Sequence, residues 1–191
     1  MESCRQLPLL SVRRSLACWG ALLLVLPLVV ARGQSTISTE EALRLVFPLP
    51  VQVERKTLFL NDEQLRAIRK LSRAPVDSKL ITYYVGSDTG GVVGYAFIET
   101  HIVRTMPETF LVHLAPDATV RAVELLAFHE PQDYRPPERW LEQFDGRGLT
   151  DELWLKRGIQ NIVGATITSQ AIVSRIRRIV ATYEIAVREG H

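Results

Sequence analysis

Apolar residues recur every three or four positions in two segments near the start of the chain, which predicts two short amphipathic helices. Ser38 and Glu41 have the spacing of a capping box, so the first helix begins there and ends before Pro48. Asn61 begins the second helix, which runs to about residue 72. Its buried face is predicted to contain Leu65, Ile68 and Leu71.

Polar and apolar positions alternate in the middle of the chain, which predicts antiparallel strands. Residues 51–60 are predicted to form a strand or an extended arm. Two later pairs of alternating segments are joined by turn residues, Asp88-Thr89-Gly90-Gly91 and Pro116-Asp117, and each pair is predicted to form a hairpin. The pairs are 79–86 with 92–100 and 109–115 with 119–128. A sheet of two hairpins flanked by helices has an α+β fold.

The last part of the chain returns to helical spacing. Pro137 suits the first position of a helix, since its φ is fixed and it lacks an N–H, and Asp145-Gly146 ends that helix. Its inward side chains are predicted to be Trp140, Leu141 and Phe144. Residues 151–155 predict a short strand, and an amphipathic helix is predicted from about Ser169 to Val187. The buried face of this last helix contains Ile172, Ile176, Ile179, Tyr183 and Val187.

Residues 1–33 differ in pattern from the rest of the chain. Arg13 and Arg14 precede the apolar stretch SLACWGALLLVLPLVVA, which is typical of a secretory signal peptide or an uncleaved N-terminal membrane anchor. Residues 34–191 are then expected to form a single domain. Export from the cytoplasm follows from either interpretation of the leader.

Composition excludes several classes of function. The chain has 23 basic and 21 acidic residues; the leader holds four arginines and one glutamate, which leaves 19 basic and 20 acidic residues in the domain. A domain of net charge −1 gives no electrostatic reason to expect nucleic-acid binding. Both cysteines, Cys4 and Cys18, lie in the leader, so disulfides, thiolate metal sites and covalent c-type haem are excluded from the domain. Four scattered histidines predict no metal site.

A glycine and three hydroxyl side chains precede the last helix, in the segment GATITSQAIV at 164–173. A helix N-terminus has unpaired N–H groups and partial positive charge, and hydroxyls can donate to phosphate oxygens, so the segment is a candidate phosphate site. The structural alternative is that Thr168 or Ser169 is the N-cap and Gly164 makes the turn. Because caps vastly outnumber phosphate sites, the physical pattern alone favours the structural alternative.

The same segment resembles the flavinylation motif Asp-x-x-Ser/Thr-Gly-Ala-Thr of the FMN-binding domain family. That family includes the G-type subunit of Rnf electron-transport complexes and the C-type subunit of sodium-pumping NADH:quinone oxidoreductases. The resemblance covers most of residues 80–188, including the paired hairpins, AFHEP, and QFDGR before the motif. It implies FMN attached through a phosphoester to Thr166 by a flavin transferase outside the cytoplasm, with Gly164 and Ala165 as close-approach positions and Thr168 beside the phosphate.

Two further segments are weaker candidates. The resemblance places His129 and Glu130 of FHEP close to the flavin, and the alternative for both is a solvated turn before Pro131. The segment ETHIVRTMPET, at 99–109, holds His101, Arg104 and Glu108 between the hairpins. It is either a partner surface or flavin edge, or a surface crossover with ordinary charges, and the crossover is the favoured interpretation.

Two departures from the motif leave alternatives open. Gln160 stands at the aspartate position and Val163 at the Ser/Thr position. The alternatives to covalent FMN are FMN bound without a covalent bond and a binding or sensor module that keeps the fold without a cofactor. A soluble flavin reductase has no dinucleotide fingerprint to support it.

The resemblance implies an exported bacterial electron-transfer protein, a carrier and not a stand-alone enzyme. Its expected location is the periplasm or another extracytoplasmic space, either secreted or anchored to the inner membrane. The expected partners are the flavin transferase and a membrane-bound iron–sulfur or quinone-reactive redox complex.

Overall fold

The computed structural model describes residues 37–150 and 152–188. The leader predicted at 1–33 lies outside the described residues. In the described part of the chain, no helix is both long and apolar enough to cross a membrane. The elements in chain order are α1 (Thr39–Val46), β1 (Gln52–Phe59), α2 (Asp62–Ser72), β2 (Leu80–Asp88), β3 (Gly91–Ile102), β4 (Pro107–Leu114), β5 (Val120–Phe128), α3 (Glu138–Leu141) and α4 (Thr166–Thr182), with 3₁₀ turns at Gln132–Tyr134 and Glu142–Phe144 and a π-helical turn at Tyr183–Val187.

The five strands form one sheet in the order β1-β2-β3-β4-β5, and each strand is antiparallel to its neighbours. The α+β class and both hairpins are therefore confirmed. Residues 52–59 join the sheet as an edge strand paired with β2, so this segment is a strand and not an arm. At the tip of the first hairpin Gly91 has φ +116°, a conformation that glycine adopts readily.

Both faces of the sheet are covered. One face packs against α4 and α3, and its buried strand residues are Tyr83, Val85, Tyr95, Phe97, Phe110, Val112, Leu114, Val120 and Val123. The other face packs against α1, where Phe47 meets Ala96 and Leu111. Gly86 makes this second contact possible, because a Cβ there would lie 2.5 Å from the Phe47 ring. The long α4 is thus held by the larger of the two apolar layers.

The predicted caps of the first two helices are confirmed. The Ser38 hydroxyl accepts from the Glu41 amide, and the Glu41 carboxylate accepts from the Ser38 amide over 2.8 Å. Asn61 forms the same reciprocal pair at the start of α2. The prediction for Leu71 is wrong, since its side chain is 40% exposed. Ser72 is buried in its place, because it follows Ile68 by four residues and shares its face.

The third helix and the segment after it differ in part from expectation. Pro137 is the N-cap and α3 has only four residues before a 3₁₀ turn, although Trp140, Leu141 and Phe144 are buried as predicted. The short strand predicted at 151–155 is wrong for the described residues 152–155, where a single bridge joins Leu155 to Ile159. Lys156 has φ +65° and reverses the chain there, so the segment is a turn.

The crossover between the hairpins is also shorter than expected. β3 continues to Ile102 and β4 begins at Pro107, so His101 and Glu108 are opposite each other in the sheet. Both side chains are buried, with relative exposures of 7% and 0%, and their polar atoms have no hydrogen-bond partner among the described residues. The surface-crossover interpretation is therefore wrong for these two residues. Arg104 alone of the three lies in the turn.

Buried titratable groups predict a stability optimum near pH 6.5. Burial raises the pKa of Glu108 to about 8, so between pH 4.5 and 8 the folded chain keeps a proton that the unfolded chain releases. Stability conferred by that proton declines as pH rises, by about 1.4 kcal/mol per pH unit at most. Burial lowers the pKa of His101 and His113 to about 4, so these groups make stability rise with pH between 4 and 6.5. Above pH 6.5 the effect of Glu108 exceeds that of the histidines, because the unfolded chain loses its remaining histidine protons there.

The measurement is the urea midpoint of the full chain at several pH values from 6.5 to 8. We expect the free energy of unfolding to fall by roughly 1 kcal/mol over that range in the unmodified protein, because the two histidines offset part of the effect of Glu108. Glu108→Gln should show no decline over the same range, because the amide does not ionise and only the histidines remain. Glu63→Gln, an exposed carboxyl on α2, is the matched control and should keep the decline. Equal slopes for Glu108→Gln and the control would contradict the prediction.

Candidate functional site

The start of α4 lies at the surface and carries no side-chain cap. Ala165 is the N-cap residue, and Thr166 is the first residue of the helix. No side chain among the described residues makes a capping hydrogen bond there. Gly164 has φ +83°, and a Cβ at this position would meet nothing within 4 Å, so the backbone conformation and not crowding requires glycine. The helix therefore presents unpaired N–H groups and its partial positive charge to the surface.

The capping alternative for Thr168 and Ser169 is wrong. α4 begins three residues earlier than predicted, so both residues lie inside the first turn, where they are 1% and 0% exposed. The Ser169 hydroxyl donates to the Ala165 carbonyl over 3.0 Å and accepts from the Ile162 amide over 3.2 Å. These bonds fix the approach of the chain to the helix and leave its first turn uncapped.

The Thr166 side chain is exposed and oriented by one neighbour. Asn161 Nδ2 donates to Thr166 Oγ1 over 2.8 Å. This bond uses a lone pair of the hydroxyl oxygen and leaves its proton free to be lost or donated. Asn161 Oδ1 is buried and has no hydrogen-bond partner within the described ranges. Thr166 is thus a positioned, accessible hydroxyl at the positive end of a helix.

A small cavity of about 130 Å³ adjoins this hydroxyl. It is lined by residues 164–168 and by Arg104 and Tyr134 from two other loops. The guanidinium carbon of Arg104 lies 4.5 Å from the centroid of the Tyr134 ring, a distance typical of a cation–π contact. A positive side chain, a helix N-terminus and a hydroxyl meet here, which is the donor set that a phosphate group needs.

A broad open groove of about 800 Å³ continues from this cavity past Arg104 and Tyr134. His129 lies exposed on its wall, and Glu130 is 4% exposed beneath it. Glu130 Oε1 accepts from the backbone amides of Thr105, Met106 and Arg104 at 2.8, 2.9 and 3.1 Å.

Those amide bonds lower the pKa of Glu130, with the bonds from Thr105 and Met106 contributing most. The solvated-turn alternative is therefore wrong for Glu130. Its carboxylate holds the turn between β3 and β4, and that turn carries Arg104. By holding this turn, Glu130 fixes the backbone position of Arg104, from which the arginine side chain reaches the cavity.

A second groove, of about 410 Å³, lies on the other side of Thr166. Its wall contains Trp154, Lys156, Asn161 and Gln170. The Trp154 ring lies 3.9 Å from the guanidinium carbon of Arg177, measured to the ring centroid. Thr166 therefore lines both the small cavity and this second groove.

The two positions that depart from the flavinylation motif are both exposed. Val163 is 97% exposed, and Gln160 is exposed as well. The contacts of Gln160 come from its backbone: its carbonyl accepts from Trp140 Nε1 over 2.6 Å, and its amide donates to Gln143 Oε1 over 2.8 Å. These bonds anchor the segment that leads to Asn161.

The sequence motif points to Thr166, Gly164, Ala165 and Thr168, and the structure places all four along the small cavity. Sequence reasoning misses Tyr134 and Asn161, and it favours an ordinary surface role for Arg104. No local pattern marks these residues, because they reach the helix start from separate loops whose proximity depends on the sheet topology.

The chain is similar in sequence to one subunit of a known oxidoreductase complex. No family model matches the chain. Over 123 residues it is 26% identical to the G-type subunit of the Na(+)-translocating ferredoxin:NAD(+) oxidoreductase complex of Acetobacterium woodii. The aligned region covers 56% of this chain and 56% of that protein, so the chain spans about half the length of the curated relative that it matches. The predicted resemblance to the G-type subunit is confirmed at this level.

Proposed function

We propose that this protein binds FMN at the start of α4 through a phosphoester to Thr166, and that it carries electrons to or from a membrane redox complex. The observation that carries the proposal is the exposed Thr166 hydroxyl beside an uncapped helix N-terminus and a cavity lined by Arg104. Similarity to a component of an oxidoreductase complex supports the electron-transfer role.

The residues around the cavity suit a phosphate ester. The unpaired amides of the first turn of α4 and the guanidinium of Arg104 would hold the phosphate oxygens. Asn161 Nδ2 would keep its bond to Oγ1, since an ester oxygen still accepts. Attachment forms the Oγ1–phosphorus bond, releases the hydroxyl proton and expels the leaving group of an activated flavin nucleotide supplied by the flavin transferase. When bound, FMN would supply the redox chemistry, and the chain would place it and tune it.

The remaining predicted site residues take supporting roles in this proposal. Gly164 provides the left-handed turn before the helix, and Ala165 is a small N-cap beside the cavity. Thr168 lines the cavity from the first turn of α4. His129 would face the cofactor from the wall of the broad groove, and Glu130 would act through Arg104 by holding its loop.

The location and partners belong to the same proposal. Attachment by a flavin transferase outside the cytoplasm requires export, for which the leader predicted at 1–33 provides the signal or anchor. The electron partner would be a membrane-bound iron–sulfur or quinone-reactive complex. The protein would then serve as a carrier without a small-molecule substrate of its own.

The test is the flavin content of the full chain exported together with a flavin transferase. Flavin fluorescence that survives denaturation, with a mass increase of one FMN less one water, is the expected result. If a preparation is yellow when native and loses its flavin on denaturation, the protein binds FMN without a covalent bond. Protein without flavin in either state would overturn the proposal and favour the cofactor-free binding module.

Arg104 should strengthen phosphate binding measurably. In flavin-free protein we expect Arg104→Gln to weaken non-covalent FMN binding by roughly ten-fold, since a charged hydrogen bond contributes about 1.5 kcal/mol or more. Riboflavin, which lacks the phosphate, should bind the two proteins alike. The matched control is Arg121→Gln, an exposed arginine on β5. An FMN affinity for Arg104→Gln equal to that of the control would show that Arg104 does not hold the phosphate.

A further inference from the structure

The sheet divides between its second and third strands. The β2–β3 ladder ends at the Tyr84–Ala96 pair, although β2 extends back to Leu80 and β3 extends on to Ile102. Beyond the ladder each strand stays paired with its outer neighbour only, β2 with β1 and β3 with β4. The rings of Tyr83 and Phe97 stack at the closed end of this fork, with centroids 5.8 Å apart.

The open part of the fork is a groove of about 600 Å³, covered on one side by α4. Its size falls in the range of small-molecule sites. The walls are mixed, and their apolar side chains come from the two strands, the segment before β2 and the helix: Val76, Leu80, Ile81, Phe97, Ile98, Ile102 and Ile179. The groove shares no lining residue with the small cavity at the start of α4 or with the two grooves near it.

A buried imidazole without a partner lies in this groove. His101 is 7% exposed, and neither ring nitrogen has a hydrogen-bond partner among the described residues. A buried polar group without a partner is destabilising, so its presence in the wall of this groove points to a ligand that bonds with it. Burial, with smaller effects from Arg175 and Arg178, lowers the pKa of His101 to about 4. At neutral pH the ring is therefore uncharged and offers one donor and one acceptor.

The hydrogen-bond donors beside His101 suit an anion. Arg175 and Arg178 enter the groove from α4, with side chains 21% and 11% exposed. Both contact Glu99, which is 18% exposed, and Asp77, which is 59% exposed. The two carboxylates balance the two guanidiniums in charge, so it is the N–H groups that these contacts leave unused that suit an anion. Each guanidinium has five N–H groups, more than these contacts use.

We propose that the groove between β2 and β3 binds a small monocarboxylate with an apolar body. The carboxylate would accept hydrogen bonds from Arg178 and His101, and the apolar body would lie against Ile81, Phe97 and Ile179. This site is separate from the start of α4 and does not depend on the proposed cofactor.

The test is calorimetric titration of the full chain with octanoate below its micellar range. Saturable binding with one site is expected, with octylammonium and octan-1-ol, which share the apolar body, binding at least about ten-fold more weakly because they lack the anion. Thr166→Ala should bind octanoate as the unmodified protein does, which separates this site from the cofactor site. Failure of octanoate to bind, or equal binding of octylammonium, would overturn the proposal.

His101→Phe distinguishes a ligand-binding role from a packing role. Phenylalanine keeps an aromatic ring in the wall and removes the unpartnered nitrogens, so the thermal midpoint should stay the same or rise. Octanoate binding should nevertheless weaken by about ten-fold, as it should in Arg178→Gln. The matched control is Arg121→Gln on β5, which should bind octanoate normally. An unchanged affinity in a folded His101→Phe protein would overturn the proposal.

Discussion

Replacing Thr166 by alanine is expected to abolish covalent flavin attachment completely. The phosphoester needs an accessible hydroxyl, and Thr166 Oγ1 is exposed, positioned by Asn161 and adjacent to the Arg104 cavity. Thr168, the other hydroxyl lining that cavity, is 1% exposed. The substitution should leave the fold intact, since it removes one surface hydrogen bond that contributes about 1 kcal/mol.

In-gel flavin fluorescence and intact mass, measured after denaturation, check this expectation. Thr166→Ser is the matched variant, because it keeps a hydroxyl at the same place and should be modified to some extent. Asn161→Ala keeps the threonine but removes the bond that orients it, so attachment should be slower and not absent. Flavin that survives denaturation in Thr166→Ala would identify another acceptor and remove Thr166 from the role we propose.

The elements that sequence patterns predict well are those whose determinants are local. The caps at Ser38 and Asn61 need only residues three positions away, and the hairpin turns need only a few turn-forming residues. The failure at Leu71 involves a distant part of the chain. Ser72 is buried in place of Leu71 where the end of α2 meets α4, and its carbonyl accepts from Arg177 there.

The start of α4 shows why a capping rule can mislead. Ser169 has the chemistry of an N-cap, but its hydroxyl bonds back to Ala165 within the helix. The turn at Gly164 and the burial of Ala165 set the boundary instead. Capping preferences alone favour an ordinary helix start, whereas the uncapped start is the feature that makes this place suitable for a phosphate.

The candidate site is predictable from the sequence only in part. The motif identifies Thr166 because its residues are contiguous. Arg104 lies sixty positions before Gly164, and Tyr134 lies thirty-two positions before Thr166, so only the folded sheet brings them together. Glu130 is a candidate from its sequence context, yet its bonds to three amides of the turn depend on the tertiary fold.

The role of Arg177 also depends on the tertiary fold, and replacing this residue is expected to have a large effect on stability. Nothing in the sequence separates it from Arg175 and Arg178 on the same helix. In the structure it is 4% exposed, and its guanidinium donates to the carbonyls of Ser72 and Thr150 over 3.0 Å and of Leu153 over 3.2 Å. It thereby joins the end of α2, the loop before Trp154 and the middle of α4.

Arg177→Leu is expected to lower the free energy of unfolding by about 3 to 5 kcal/mol, because several buried carbonyls lose their donor at once. Urea midpoints of the full chain measure the loss. Arg177→Lys should recover part of it, since an ammonium group cannot reach all three carbonyls. Arg175→Leu, which removes a partly exposed ion pair on the same helix, should cost about 1 kcal/mol or less and serves as the matched control.

The same substitution should also affect the site, because Arg177 lies against Trp154 in the wall of the groove beside Thr166. At a temperature where Arg177→Leu remains folded, we expect its flavin attachment to be slower than in Arg175→Leu, although Thr166 is unchanged. Equal attachment rates in the two variants would show that the fold needs Arg177 and the cofactor site does not. A slower rate in Arg177→Leu alone would connect a buried arginine, through the position of one indole ring, to the chemistry at the helix start.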